Sequence, residues 1–156
     1  MSYREILLNN LQAFCNDEQK IAIYSKDTNV SYKQLNDEVL NLSQHIIDSY
    51  GSDNEVIAVR MKDSLNAFEM ILALLFSNKV VLPVPFEVPD EKAVVIFQDI
   101  KPLVIFTDGT KSYENSVDFY RFKKATSNKT FSPPKYCDDS RFIIIMTSGT
   151  TGNPKG

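Results

Sequence analysis

Phe142-Ile-Ile-Ile-Met146 runs directly into Thr147-Ser148-Gly149-Thr150-Thr151-Gly152-Asn153-Pro154-Lys155-Gly156, and the reading of this junction decides the fold. The apolar run is short and centred on three isoleucines, which suit a pleated, buried strand better than a helix. The loop after it has the chemistry of a phosphate cradle. Glycines let backbone N–H groups approach an anion closely, hydroxyls add donors, and the lysine adds a point charge.

A Walker loop, G-x-x-x-x-G-K-[ST], needs wider glycine spacing and a lysine directly after the second glycine. Here Gly149 and Gly152 stand close together and Pro154 precedes Lys155, so the loop is of another kind. The ordinary reading of any Ser/Thr/Gly cluster is a solvated turn.

This cluster, however, resembles the phosphate-loop signature of the adenylate-forming superfamily over ten consecutive positions, Thr147 to Gly156. That group includes acyl-CoA synthetases, luciferase-like enzymes and the adenylation domains of nonribosomal peptide synthetases. The lead-in Asp138-Asp139-Ser140-Arg141-Phe142-Ile143-Ile144 also fits the family, with Met146 where an aromatic residue is frequent. Val30-Ser31-Tyr32-Lys33-Gln34-Leu35 is similar to the family's early (S/T)-Y-x-x-L segment, which opens a helix there. Ala73 to Pro83, continuing through Pro89 and Glu91, resembles its helix-to-strand segment. At that place Asn78 stands where glycine is common, a mild change because Asn tolerates left-handed backbone. Pro85 replaces a common aspartate and so carries no role.

The resemblance implies that a carboxylic or amino acid attacks the α-phosphate of ATP, giving an acyl-adenylate and pyrophosphate. Many members then pass the acyl group to coenzyme A or to an acyl- or peptidyl-carrier protein. On the matching positions, Thr147, Ser148, Thr150 and Thr151 would supply hydroxyls, and Gly149 and Gly152 close backbone approach. Lys155 would neutralise charge on the departing pyrophosphate. Mg is expected with the nucleotide, although no ligand set for it is legible. Family members are considerably longer, so residues 1–156 are expected to be the N-terminal fragment of an adenylation domain, ending at its phosphate loop and inactive alone. The competing expectation is a non-catalytic module that binds a partner or a phosphorylated ligand through the same loop.

Composition agrees with one globular domain: 156 residues, 43% hydrophobic and 24% charged. A net charge of −3 gives no basic field for nucleic acid or anionic lipid. No apolar run approaches the ~20 residues of a membrane span, so neither nucleic acid nor membrane is an expected partner and the cytoplasm is the expected compartment. Cys15 and Cys137 belong to no C-x-x-C pair and are expected to be free, partly buried thiols. His45, the sole histidine, falls beside the apolar face of a helix and is expected to pack.

Along the chain, strands and helices alternate. Tyr3 to Cys15 carries Ile6, Leu7, Leu11 and Phe14 at helical spacing, and Ile21 to Tyr24 reads as a strand. Ser31 and Gln34 form a capping-box pattern before the stripe Leu35, Val39, Leu42, Ile46, with Gly51 as terminator. Glu55 to Met61 is a strand. Asp63 or Ser64 caps a helix to about Phe76, apolar on nearly every side and therefore expected between layers, with Asn78 as its C-cap. Val80 to Val84 is a strand, Asp90 to Ile100 a helix stopped by Lys101-Pro102, and Leu103 to Phe106 a strand. Thr107 to Ser140 is irregular, with a short helix near Asn115 to Phe122.

This alternation predicts an α/β fold, a mostly parallel sheet flanked by helices, with ligands beyond the carboxyl ends of the strands. Phe142 to Met146 reads as a strand buried on both faces with little chain to cover it, so self-association or marginal solubility is expected.

Overall fold

The computed structural model describes residues 1–25, 28–125, 127–136 and 141–146. In chain order the elements are α1 (Tyr3–Ala13), β1 (Ile21–Tyr24), β2 (Asn29–Ser31), α2 (Tyr32–Tyr50), β3 (Val56–Arg60) and α3 (Ser64–Phe76). Then come β4 (Val80–Pro83), α4 (Asp90–Ile100), β5 (Val104–Thr107), β6 (Ser116–Asp118) and α5 (Phe119–Lys124).

Strand β3 is central. It pairs in parallel with β4 on one side, Ile57 opposite Val81, and with β5 on the other, Ile57 opposite Val104. β6 extends the sheet beyond β5, also parallel, to give the order β4-β3-β5-β6. A parallel sheet buried on both faces demands unbroken apolar strands, and Ile57, Ala58 and Val59 are buried accordingly. Alternation along the strands then divides the core. Ile57, Val59, Val81, Val104 and Phe106 pack with α1, α2, α3 and α5, while Ala58, Leu82 and Ile105 pack with α4.

Local signals place the helices. Ser31 accepts the Gln34 N–H while the Gln34 side chain accepts the Ser31 N–H, the expected capping box at the head of α2. Leu35, Val39, Leu42 and Ile46 are all buried, as their spacing requires. Gly51 ends α2 at φ +70, a region costly for residues with a Cβ. Asp63 caps α3 through the Asn66 N–H, and Asn78 follows α3 at φ 66.

The fold departs from the expectations in five places, one being that residues 116–118, expected within a short helix, form strand β6, with α5 beginning at Phe119. β1 and β2 form a separate antiparallel hairpin rather than joining the parallel sheet, because only four residues separate them and a parallel crossover needs a dozen or more. In α1 the inward face is Arg4, Leu8 and Leu11; Ile6, Leu7 and Phe14 are each about two-fifths exposed. Helix α3 is not sheathed all round, since Phe68 is 44% exposed while Glu69 is buried against Lys123 at 2.9 Å. Finally, 141–146 is a half-buried edge segment joined to β4 by a single parallel bridge, Val81 to Ile143, and not a strand buried on both faces. Ile145 is 65% exposed there.

His45 packs on the ring of Phe122 at 4.1 Å, and burial lowers its pKa. Cys15 is a free thiol whose pKa burial raises; Cys137 lies outside the described residues. No described helix is long and apolar enough to cross a membrane.

The orientation of α3 makes a prediction. Leu74→Ala, at a fully buried position, should destabilise by about 2–5 kcal/mol, whereas Phe68→Ala on the exposed side should cost far less. Chemical denaturation of both variants checks this; equal losses would contradict the placement of the helix.

Candidate functional site

Thr147, Ser148, Gly149, Thr150, Thr151, Gly152 and Lys155 lie outside the described residues. What the structure describes is how the chain reaches them. The Val81 N–H donates to the Phe142 carbonyl at 2.9 Å, and the Ile144 N–H donates to the Val81 carbonyl at 2.8 Å. The segment therefore runs parallel to β4 and brings Met146 to the carboxyl edge of the sheet. Ile143 faces the larger core, while Ile144 and Met146 face the α4 side.

The neighbouring structure at this edge is built around Arg60, the last residue of β3, which is 1% exposed. A buried guanidinium is costly unless its donors are satisfied. Here Nε donates to the Tyr113 hydroxyl at 2.8 Å, Nη1 to the Pro85 carbonyl at 2.6 Å, and Nη2 to the Val88 carbonyl at 2.6 Å and Asp90 Oδ1 at 3.0 Å. Asp90 Oδ1 also accepts from Lys111 Nζ at 2.6 Å and from the Tyr113 hydroxyl at 3.0 Å. These donors, Lys111 foremost, pull the Asp90 carboxyl down to about 2. The cluster ties the Pro85–Asp90 connection to the loop before β6. The guanidinium donates internally through all three of its nitrogens, so the cluster shapes this edge.

A second carboxylate fills the crevice between the carboxyl ends of β3 and β5, where connections leave in opposite directions and a ligand is expected. Asp108 accepts the Lys62 N–H at 2.7 Å and the Thr110 hydroxyl at 2.6 Å. Burial alone would raise its pKa, but hydrogen bonds from Thr110 and from the backbone of Lys62, Thr110 and Asp63 outweigh that and lower it. An anion of the protein's own thus occupies the backbone donors in this crevice.

Among the described residues, no group of three His, Cys, Asp or Glu could hold a metal ion. Asp90 Oδ1 and both carboxylate oxygens of Asp108 accept hydrogen bonds from within the chain. A groove of about 760 Å³ lies between α4 and the edge segment, lined by Val95, Ile96, Ile100, Ile143, Ile145 and Met146 among others. It leads to the root of the loop.

Arg60 and Asp90 were not singled out from sequence. The available signal was a charged residue closing an apolar strand, Val56-Ile-Ala-Val-Arg60, ahead of a proline-rich connection whose carbonyls need donors.

The sequence profile of the family described as AMP-binding enzyme matches residues 12–156. The hybrid PKS-NRPS synthetase lepA of Aspergillus flavus is 26% identical over 155 residues, covering 93% of this chain and 4% of that protein. The N-(5-amino-5-carboxypentanoyl)-L-cysteinyl-D-valine synthase of Penicillium rubens is 30% identical over 152 residues, covering 88% of this chain and 4% of that one. The chain thus spans a small fraction of the length of these relatives. Among solved structures, NpsA-ThdA from Klebsiella oxytoca, an artificially fused adenylation-PCP di-domain NRPS, superposes with a TM-score of 0.84. That match has 16% identity and covers 99% of this chain and 32% of the other, a likeness of fold. With a family match that takes in all but the first eleven residues, and a parallel sheet whose edge leads into the glycine- and hydroxyl-rich loop, the chain belongs to the AMP-binding enzyme family.

Proposed function

We propose that this chain is the N-terminal part of an ATP-dependent ligase that activates a carboxylic acid, an amino acid in the peptide-synthetase setting, as its acyl-adenylate. The observation that carries the reading is the continuity of the edge segment 141–146, parallel to β4, with the loop Thr147–Gly156. Such continuity supports a loop of hydroxyls, glycines and a cation acting at the carboxyl edge, where parallel sheets bind ligands.

In this reading Thr147, Ser148, Thr150 and Thr151 donate hydroxyls to the phosphates, and Gly149 and Gly152 let backbone N–H groups approach. Lys155 stabilises the charge that builds as pyrophosphate departs. Magnesium accompanies the nucleotide, with ligands from elsewhere in the protein. The acyl group then passes to a thiol, that of a carrier protein or of coenzyme A; the carrier is favoured by the synthetase relatives and by the adenylation-PCP fusion. We assign the protein to the cytoplasm on its ordinary composition and slight negative charge.

The full-length protein should catalyse carboxylate-dependent exchange of pyrophosphate into ATP, and residues 1–156 alone should not, because catalysis requires both reactants to be positioned. Exchange by the isolated piece, or none by the full-length protein with any carboxylate tried, would contradict the proposal.

Lys155→Ala in the full-length protein should lower turnover about a hundredfold, the ~3 kcal/mol typical of one preorganised stabilising group. Nucleotide affinity should fall less than turnover, since the interaction strengthens towards the transition state. Equal turnover numbers for two folded proteins would reduce Lys155 to a surface residue.

The isolated 156-residue chain should also self-associate. Ile145 is 65% exposed on an edge segment bridged to β4, and exposed apolar edges pair with other chains. Light scattering that shows a clean monomer at high concentration would refute this.

A further inference from the structure

The carbonyl of Arg141 marks the amino end of the edge segment, and two side chains from distant parts of the sequence converge on it. Arg4 Nη2 donates to this carbonyl at 2.9 Å and to the Lys79 carbonyl at 3.1 Å. Asn54 Nδ2 donates to the same carbonyl at 3.1 Å and to the Asn78 carbonyl at 3.1 Å. Each side chain therefore bridges the turn before β4 to the start of the edge segment, and together they engage both lone pairs of one carbonyl oxygen.

The position of Arg4 explains why it is free of solvent. It sits in the first turn of α1, held by a capping box in which Ser2 and Glu5 bond reciprocally, and is 2% exposed. It occupies the inward face that the apolar residues Ile6 and Leu7 leave. A guanidinium placed there has its cost offset by carbonyl partners, and a hydrogen bond to a charged donor is worth more than a neutral one. Arg4 also precedes the residues matched by the family profile, so this contact is made from outside the matched region.

Beyond the clasp, two backbone hydrogen bonds among the described residues join the edge segment to β4, between Val81 and the pair Phe142 and Ile144. A slip of one residue would exchange the faces of Ile143 and Ile144 and displace everything after Met146. We infer that Arg4, with Asn54, is a positioning residue for the loop at 147–155: the two side chains lock the register of residues 141–146 against β4 from the end opposite the loop. The inference rests on the reading of that loop as the phosphate-binding element.

The test uses the full-length protein with Arg4→Met and Asn54→Asp. Asn54 is exposed, so its variant should fold even if loss of the buried arginine does not, and an aspartate of the same size cannot donate to the carbonyls. Hydrogen exchange should accelerate about tenfold in peptides covering 141–146, the scale of losing one such bond, with β3 and β5 unchanged. In pyrophosphate exchange, kcat/KM for ATP should fall by about tenfold to a hundredfold while KM for the carboxylate stays put, as displacement of positioning groups predicts. Unchanged exchange at 141–146 in both variants would overturn the clasp. Faster exchange there with wild-type kinetics would reduce it to a structural contact and overturn positioning. A wild-type protein inert towards ATP would overturn the loop's phosphate role and positioning with it, while hydrogen exchange would still report on whether the clasp holds.

Discussion

Val81 sits in β4 with its N–H given to Phe142 and its carbonyl accepting from Ile144. These two bonds, at 2.9 and 2.8 Å, set the direction and register of the segment that precedes the glycine- and hydroxyl-rich loop. Their placement depends in turn on the pairing of Val81 with Ile57, which locks β4 to the central strand. Side chains alternate across a sheet, so one register sends Ile143 to the larger core and Ile144 to the α4 side. A parallel sheet gathers its strand ends at one edge, and the described segment reaches that edge at Met146.

The carboxyl edge is itself prepared. Arg60 donates to the carbonyls of Pro85 and Val88 in the proline-rich connection, and Asp90 and Tyr113 complete its shell. Asp108 fills the other anion-friendly place, between β3 and β5. Breaking either arrangement would strand a buried or partly buried charge, a cost that usually exceeds the net value of the contact itself. At the amino end, Lys79 donates to the last carbonyl of α2, Tyr50, at 2.8 Å and to Glu55 at 2.9 Å, so the turn that Arg4 and Asn54 grip is also anchored from behind.

Elements with strong local signals were legible in the sequence. The α2 stripe, its capping box, the Asp63 cap and the apolar strands at 56–60, 80–83 and 104–107 each arise from short-range chemistry that tertiary context reinforces. What was illegible depended on distant partners. β6 is three residues long and polar at both ends, and only its pairing with β5 makes it a strand. The face of α1 was misread because Arg4 is buried by carbonyls that arrive from residues 79 and 141, which no periodicity within the helix announces. Arg60 was hidden for the same reason. The loop's proposed chemistry rests on its residue types and spacing, while the groups that hold the segment before it come from distant parts of the chain.

The central claim is that the chain brings residues 147–155 to the phosphates of ATP. A structure of the full-length protein with a nonhydrolysable ATP analogue tests it most directly. The account predicts backbone N–H groups and hydroxyls of 147–152 and the Lys155 ammonium within hydrogen-bonding distance of the phosphate oxygens, beyond Met146 at the carboxyl edge. Phosphates held elsewhere, with this loop turned to solvent, would contradict it.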